Sequence, residues 1–200
     1  MTTIVAVREG NKVFLGADKK QVDENIINTN RVFKIISVKK IVFAVSGSPH
    51  IQSLVRFLIE KLSTQDSLPA NEFMHLLVSE LDARLTDPLG SSGVKDNKEE
   101  SFSGEAVLIV KDRIYEIDIR KGKFNSLLEI NSSFFSCGSG FSFAIGMNLY
   151  LEMIGMPPID RMKKILNKIS SVDPFSGCGG LIYEVDLDKN EFKIIEDWIV

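Results

Sequence analysis

Cysteine and histidine are scarce in this chain of 200 residues, with two of each. Cys137 and Cys178 are too few for a disulfide framework and lack the paired spacing of a zinc site, so a reducing, cytoplasmic setting without a metal is expected. A Ser-His-Asp or Cys-His nucleophilic site would have to use His50 or His75. His75 stands between Met74 and Leu76 on a helical pattern, where packing or solvent exposure is the simpler role. His50 follows the Ser46-Gly47-Ser48-Pro49 turn and is less easily set aside, but no G-x-S-x-G elbow accompanies it. The phosphate loop G-x-x-x-x-G-K-[ST] is missing too, which argues against ATP hydrolysis by the chain itself. Gly138-Ser139-Gly140 has the setting of a dinucleotide loop, yet Phe143 stands where the third glycine belongs, and no cofactor is expected.

Excess positive charge is also lacking: 24 Lys+Arg against 27 Asp+Glu give a net charge of −3, which disfavours a protein that coats nucleic acid. Long apolar runs are few. Ile4 to Val7 is cut short by Arg8, too soon for a signal or transit sequence, so the mature chain is expected to begin near Met1. The uncharged stretch between Glu129 and Glu152 is broken by Asn131, Ser132, Ser133, Ser136, Ser139, Ser142 and Asn148, and reads as buried core, with no contact to a membrane. At 44% hydrophobic and 26% charged residues, the composition is that of a globular protein, and the length predicts one domain over residues 1–200.

The pattern along the chain alternates between strands and helix pairs. Thr3 to Val7 and Val13 to Ala17 read as a hairpin turned at Gly10-Asn11, with Asp18 at its end. Val32 to Ile36 and Ile41 to Val45 are two further β-rich runs. Apolar residues at Ile51, Leu54, Val55, Leu58 and Leu62, then at Phe73, Leu76, Leu77, Leu81 and Leu85, predict two helices, the second lying between Pro69 and Pro88. Gly90 to Ser103 has no apolar period and reads as a long surface loop. Strands follow at Ala106–Val110, Ile114–Ile119, Phe124–Ile130 and Ser133–Cys137, then helices from the Gly138-Ser139-Gly140 turn to about Gly155 and over Ile159–Ile169. Gly180–Val185 and Phe192–Ile195 close the chain as strands. Strands, two helices, strands, two helices, strands is the order of an α+β, four-layer αββα sandwich: two antiparallel sheets with helix pairs on both outer faces.

With histidine chemistry disfavoured, attention moves to the chain start. Met1 precedes the small residue Thr2, a context in which the initiator methionine is usually removed. A free Thr2 would carry both a hydroxyl nucleophile and an α-amine whose ordinary pKa, near 8, lets it accept a proton close to neutrality. The simpler alternative is that Thr2-Thr3 only starts an edge strand.

Taken together, Thr2-Thr3-Ile4-Val5, Gly16-Ala17-Asp18, Lys34, Ser46-Gly47-Ser48, Gly138-Ser139-Gly140 and Asp173-Pro174-Phe175-Ser176-Gly177 give a pattern running almost end to end. In order and spacing it resembles the β-type subunits of the proteasome and the bacterial ring protease HslV, which are N-terminal-nucleophile threonine peptidases. The resemblance implies Thr2 as nucleophile, Asp18 and Lys34 as a charged pair beside it, Gly47 as a backbone donor to the oxyanion, and Ser139, Asp173 and Ser176 as the group holding amine and hydroxyl. A cationic Lys34 would lower the amine pKa, and Asp18 would offset the cost of burying Lys34. The resemblance also assigns substrate contacts to Gln21, Val22, Val32, Ile36 and Val45.

Val22 replaces a residue that is commonly small or threonine in the family, and Pro49 and His50 replace small and acidic ones. The D-x-x-S-G element is more like the proteasome β type, and the Met-Thr-Thr start more like HslV. What the resemblance implies for function is a threonine endopeptidase of unfolded polypeptide, in homo-oligomeric stacked rings served by α-type subunits or an ATPase unfoldase. A catalytically silent ring subunit and an amidase acting on a small molecule are the alternatives.

Overall fold

The computed structural model describes residues 2–23, 26–28, 34–65, 67–86, 103–173, 176, 177 and 179–199, with the backbone alone at 21–23 and 26–28. Its first half contains β1 (Thr3–Glu9), β2 (Lys12–Asp18), β3 (Gln21–Asp23), β4 (Ile26–Asn28), β5 (Ile35–Val38), β6 (Ile41–Gly47), α1 (Pro49–Leu62) and α2 (Ala70–Thr86). The second half contains β7 (Gly104–Val110), β8 (Arg113–Arg120), β9 (Lys123–Glu129), β10 (Phe134–Gly138), α3 (Phe141–Met153), α4 (Pro158–Val172), β11 (Gly180–Asp186) and β12 (Glu191–Trp198).

Two antiparallel five-stranded sheets form the centre, one in the order β10-β1-β2-β11-β12 and the other β5-β6-β7-β8-β9, while β3 and β4 make a separate hairpin. The apolar runs of β1 and β6 follow from burial on both faces. Ile4 and Ala6 of β1 pack between the sheets with Leu15, Val42, Ala44 and Ile109, while Val5 and Val7 pack on the outer side with Met162, Ile165, Leu166 and Ile169 of α4. Ile41, Phe43 and Val45 of β6 face α1 and α2 in a third cluster. Each fully buried side chain of this kind contributes about 1.5–3 kcal/mol. The α+β sandwich and both helix pairs therefore agree with the reading of the sequence.

The helices show their sequence signals. Met162, Ile165, Leu166 and Ile169 recur at the spacing of one helical face. Ser48 caps α1 by accepting the Ile51 N–H, and Pro49 occupies the first turn, where a missing N–H costs nothing. The buried Arg161 of α4 meets Glu152 of α3 at 2.8 Å, pinning the outer pair together.

Three expectations change. The uncharged stretch between Glu129 and Glu152, read as buried core, is exposed along α3 at Phe141, Phe143, Ile145, Leu149 and Tyr150. The strand expected over Val32–Ile36 is β5 at Ile35–Val38, and residues 29–33 lie outside the described ones, as does most of the expected loop at Gly90–Ser103. Between Asp18 and Val32, where the sequence pattern predicts no element, the structure has the three-residue strands β3 and β4, too short to show a period.

Candidate active site

Several elements end at one edge of the sandwich. On β1, Thr3 pairs with Gly138 of β10; Asp18, at the end of β2, pairs with Gly180; Gly47, at the end of β6, pairs with Gly104. The α4 C-terminus arrives there too, with Asp173 at its cap. Residues scattered from position 2 to position 176 are thereby brought together.

Asp18 is the electrostatic centre of this edge. Its carboxyl is 1% exposed and Lys34 is 5% exposed, and Lys34 Nζ meets Asp18 Oδ1 at 2.9 Å. Asp18 also accepts the Thr3 N–H on Oδ2 at 2.6 Å and the Lys20 N–H on Oδ1 at 2.9 Å. Burial pushes the Asp18 carboxyl above its ordinary range, and the Lys34 charge and the N–H donors pull against it. Lys34 Nζ has a further acceptor in the Lys20 carbonyl. A buried pair satisfied in this way is costly to break, by about 3–5 kcal/mol, because the survivor would be left as an uncompensated charge.

Thr2 is 4% exposed, and its carbonyl accepts the Ser46 hydroxyl at 2.9 Å and the Ser139 N–H at 3.2 Å. Ser46 immediately precedes Gly47, so the expected oxyanion donor lies beside the expected nucleophile. Gly47 has φ +115°, and a Cβ there would fall 2.3 Å from the Ser103 carbonyl oxygen and 2.5 Å from Gly104 Cα, a position that only glycine can occupy.

A run of hydroxyls completes the edge. Ser139 Oγ donates to Asp173 Oδ2 at 2.5 Å and Ser176 Oγ donates to the same oxygen at 2.8 Å. Ser176 has spent its one proton there, so in its 2.7 Å contact with Thr3 the Thr3 hydroxyl is the donor. Thr3 Oγ1 in turn accepts the Gly140 N–H at 3.1 Å. Four hydroxyl and amide groups thus point in one direction, toward Asp173. A chain of this kind polarises its members and fixes their rotamers.

The structure therefore brings Thr2, Asp18, Lys34, Gly47, Ser139, Asp173 and Ser176 to one place. Val45 donates its N–H to the Lys34 carbonyl at 3.3 Å, and Ile36 packs against the same apolar cluster as Val45. Val32 and the side chains of Gln21 and Val22 lie outside the described residues. His50 and His75 are both exposed. Among the described residues no group of three His, Cys, Asp or Glu side chains is arranged to hold a metal ion.

Sequence reasoning missed three participants: Thr3, Ser46 and Glu105, the last accepting the Gly138 N–H at 2.7 Å.

No protein-family model and no curated protein matches the sequence. Solved structures do match. HslV from Trypanosoma brucei aligns with a TM-score of 0.65 at 19% identity, covering 92% of this chain and 99% of that one. Thiobacillus denitrificans BPH aligns with a TM-score of 0.68 at 17% identity, and its complex with epoxomicin with 0.67 at 16%, each covering 92% of this chain and 98% of the other. This chain shares the Ntn-hydrolase fold of HslV.

Proposed function

We propose that the chain is a threonine-type endopeptidase whose nucleophile is Thr2 once Met1 is removed. The reading is carried by one observation: Asp18 binds the buried Lys34 and the Thr3 backbone at once, so a charged pair is held against the residue that follows Thr2. Thr2 Oγ attacks the peptide carbonyl while the α-amine accepts the hydroxyl proton, kept neutral for that purpose by Lys34 nearby. The Gly47 N–H stabilises the oxyanion. Collapse breaks the C–N bond, the leaving amine takes the proton, and water then hydrolyses the acyl-threonine ester. Ser139, Asp173 and Ser176 hold the chain end in place.

The same reading makes this subunit part of a ring whose chamber admits unfolded polypeptide. The outer surface of α3 supports assembly: Ile145, Leu149, Tyr150 and Met153 are 41%, 63%, 59% and 76% exposed, and grouped apolar side chains of this kind mark contact surfaces. No described helix is long and apolar enough to cross a membrane.

The test joins intact mass, particle sizing and turnover of a fluorogenic peptide. The purified chain is expected to lack Met1, and Thr2→Ala to abolish hydrolysis, by at least about 10³-fold, while leaving the particle intact. Activity near wild type in Thr2→Ala would sink the threonine mechanism.

A further inference from the structure

The proposed nucleophile and the proposed oxyanion donor stand on different sheets. Thr2 leads into β1 of one sheet and Gly47 ends β6 of the other, so only contacts across the gap between the sheets set their spacing. Two such contacts lie side by side. Ser46 and Glu105 are paired across β6 and β7; Ser46 Oγ donates to the Thr2 carbonyl at 2.9 Å, and Glu105 Oε2 accepts the Gly138 N–H at 2.7 Å. Thr3 and Gly138 are themselves paired across β1 and β10, so neighbouring residues of one sheet grip neighbouring residues of the other.

There is no slack at this point. Gly138 has φ +88°, and a Cβ on it would come 1.7 Å from the Thr2 carbonyl oxygen and 2.8 Å from Ser46 Oγ. The preceding residue, Cys137, is buried, and burial first and the Glu105 and Glu116 charges second keep its thiol protonated. β10 is therefore bound to the Glu105 carboxylate through the Gly138 N–H, next to a buried thiol.

We propose that Ser46 and Glu105 are positioning residues, forming a clamp between the sheets that sets the distance from Thr2 and the Gly138-Ser139-Gly140 turn to Gly47. Its catalytic consequence rests on the peptidase reading, whereas its geometry does not. Misplacement of a reacting group by about 1 Å costs roughly 10²-fold in rate, so loss of either grip should appear in kcat.

The full-length chain with Glu105→Ala is expected to lose roughly 10- to 100-fold in kcat with KM within about twofold, because the loss is one of positioning. Glu105→Gln keeps an acceptor oxygen and should stay within a few-fold of wild type. Ser46→Ala should fall as Glu105→Ala does, and the double variant by less than the product of the two, since both act on one spacing. A wild-type kcat in Glu105→Ala, or Glu105→Gln as impaired as Glu105→Ala, overturns the proposal. If Glu105→Ala does not assemble, Ser46→Ala decides alone, and an unchanged kcat there overturns it.

Amide exchange at Gly138 and the rate of Cys137 labelling by a thiol reagent separate the clamp from the peptidase reading. Should the wild-type protein hydrolyse no peptide, the peptidase reading fails. The clamp then stands if both rates rise in Glu105→Ala and not in Glu105→Gln, and falls if they are equal in all three proteins.

Discussion

Thr3 donates its backbone N–H to Asp18 Oδ2 at 2.6 Å while Lys34 holds the other oxygen at 2.9 Å. One carboxylate thereby fixes the register of the residue after Thr2 and the position of the cation proposed to tune it. Because Asp18 ends β2 and Lys34 just precedes β5, the pair also ties the two sheets at the edge where the proposed chemistry takes place.

Replacing Lys34 should separate the effect of its charge from that of its shape. Lys34→Ala leaves Asp18 buried without its counter-charge, at a cost of about 3–5 kcal/mol, and is expected to lower peptide turnover by at least about 10²-fold. Lys34→Arg keeps the charge, but its planar and wider head does not match the buried place between Asp18 and the Lys20 carbonyl, and it should fail to restore turnover. Thermal melts and kcat measured on both variants check this. If Arg recovers most of the activity, a fixed charge suffices and the shape of the lysine head is immaterial.

Thr3→Val deletes the hydroxyl at the head of the chain that runs to Asp173, with little change in volume. The Gly140 N–H loses its acceptor and Ser176 its donor, a loss of about 1–3 kcal/mol by urea unfolding. Turnover should drop although Thr2 keeps its own hydroxyl. Thr3→Ser should retain most of both. Equal stability in Thr3→Val and wild type would show that the hydroxyl chain contributes nothing to holding the edge together.

The layers of this fold were legible because burial on two faces writes continuous apolar runs such as Thr3 to Val7 and Ile41 to Val45, and because the helix faces kept their spacing. The site was legible only where a residue type has few other reasons to stand where it does: a threonine after Met1, an aspartate ending a strand, glycines at the Ser46 and Ser139 turns. Thr3, Ser46 and Glu105 escaped, since their roles come from partners fixed by tertiary structure. Thr3 and Ser176 are 173 positions apart, and nothing local to either announces the contact. The hairpin of β3 and β4 escaped for a different reason, each strand being shorter than two periods of alternation.

Glu116 faces Glu105 and Asp118, and its carboxyl is raised above the ordinary 4.5 by burial first and by those two like charges second. A carboxyl raised on folding binds its proton more tightly in the folded chain, so its contribution to stability is full below the unfolded value and is lost as pH rises through the folded one. Glu116→Gln removes that dependence. The variant should melt higher than wild type at neutral pH, with the gap closing as the pH is brought below 4.5. A gap that widens in acid would mean that the acidic group is stabilised by a partner and not strained by its neighbours.

The last prediction concerns the residue before the cleaved bond. Val45 is 4% exposed, donates its N–H to the Lys34 carbonyl and shares an apolar cluster with Ile36, so the wall next to the proposed catalytic lysine is aliphatic. Neither residue offers a carboxylate to a basic side chain or a cation to an acidic one, and burial of apolar area is left to govern selection. Val45 is branched but smaller than methionine or phenylalanine, which leaves room for a leucine-like or aromatic side chain. A positional-scanning peptide library read by cleavage rate should therefore favour these and disfavour aspartate, glutamate, lysine and arginine. Val45→Ala should shift the optimum toward bulkier side chains, with each added methylene worth about 10- to 200-fold between substrates at most. A clear preference for arginine, lysine or aspartate would place the pocket elsewhere and remove Val45 from it.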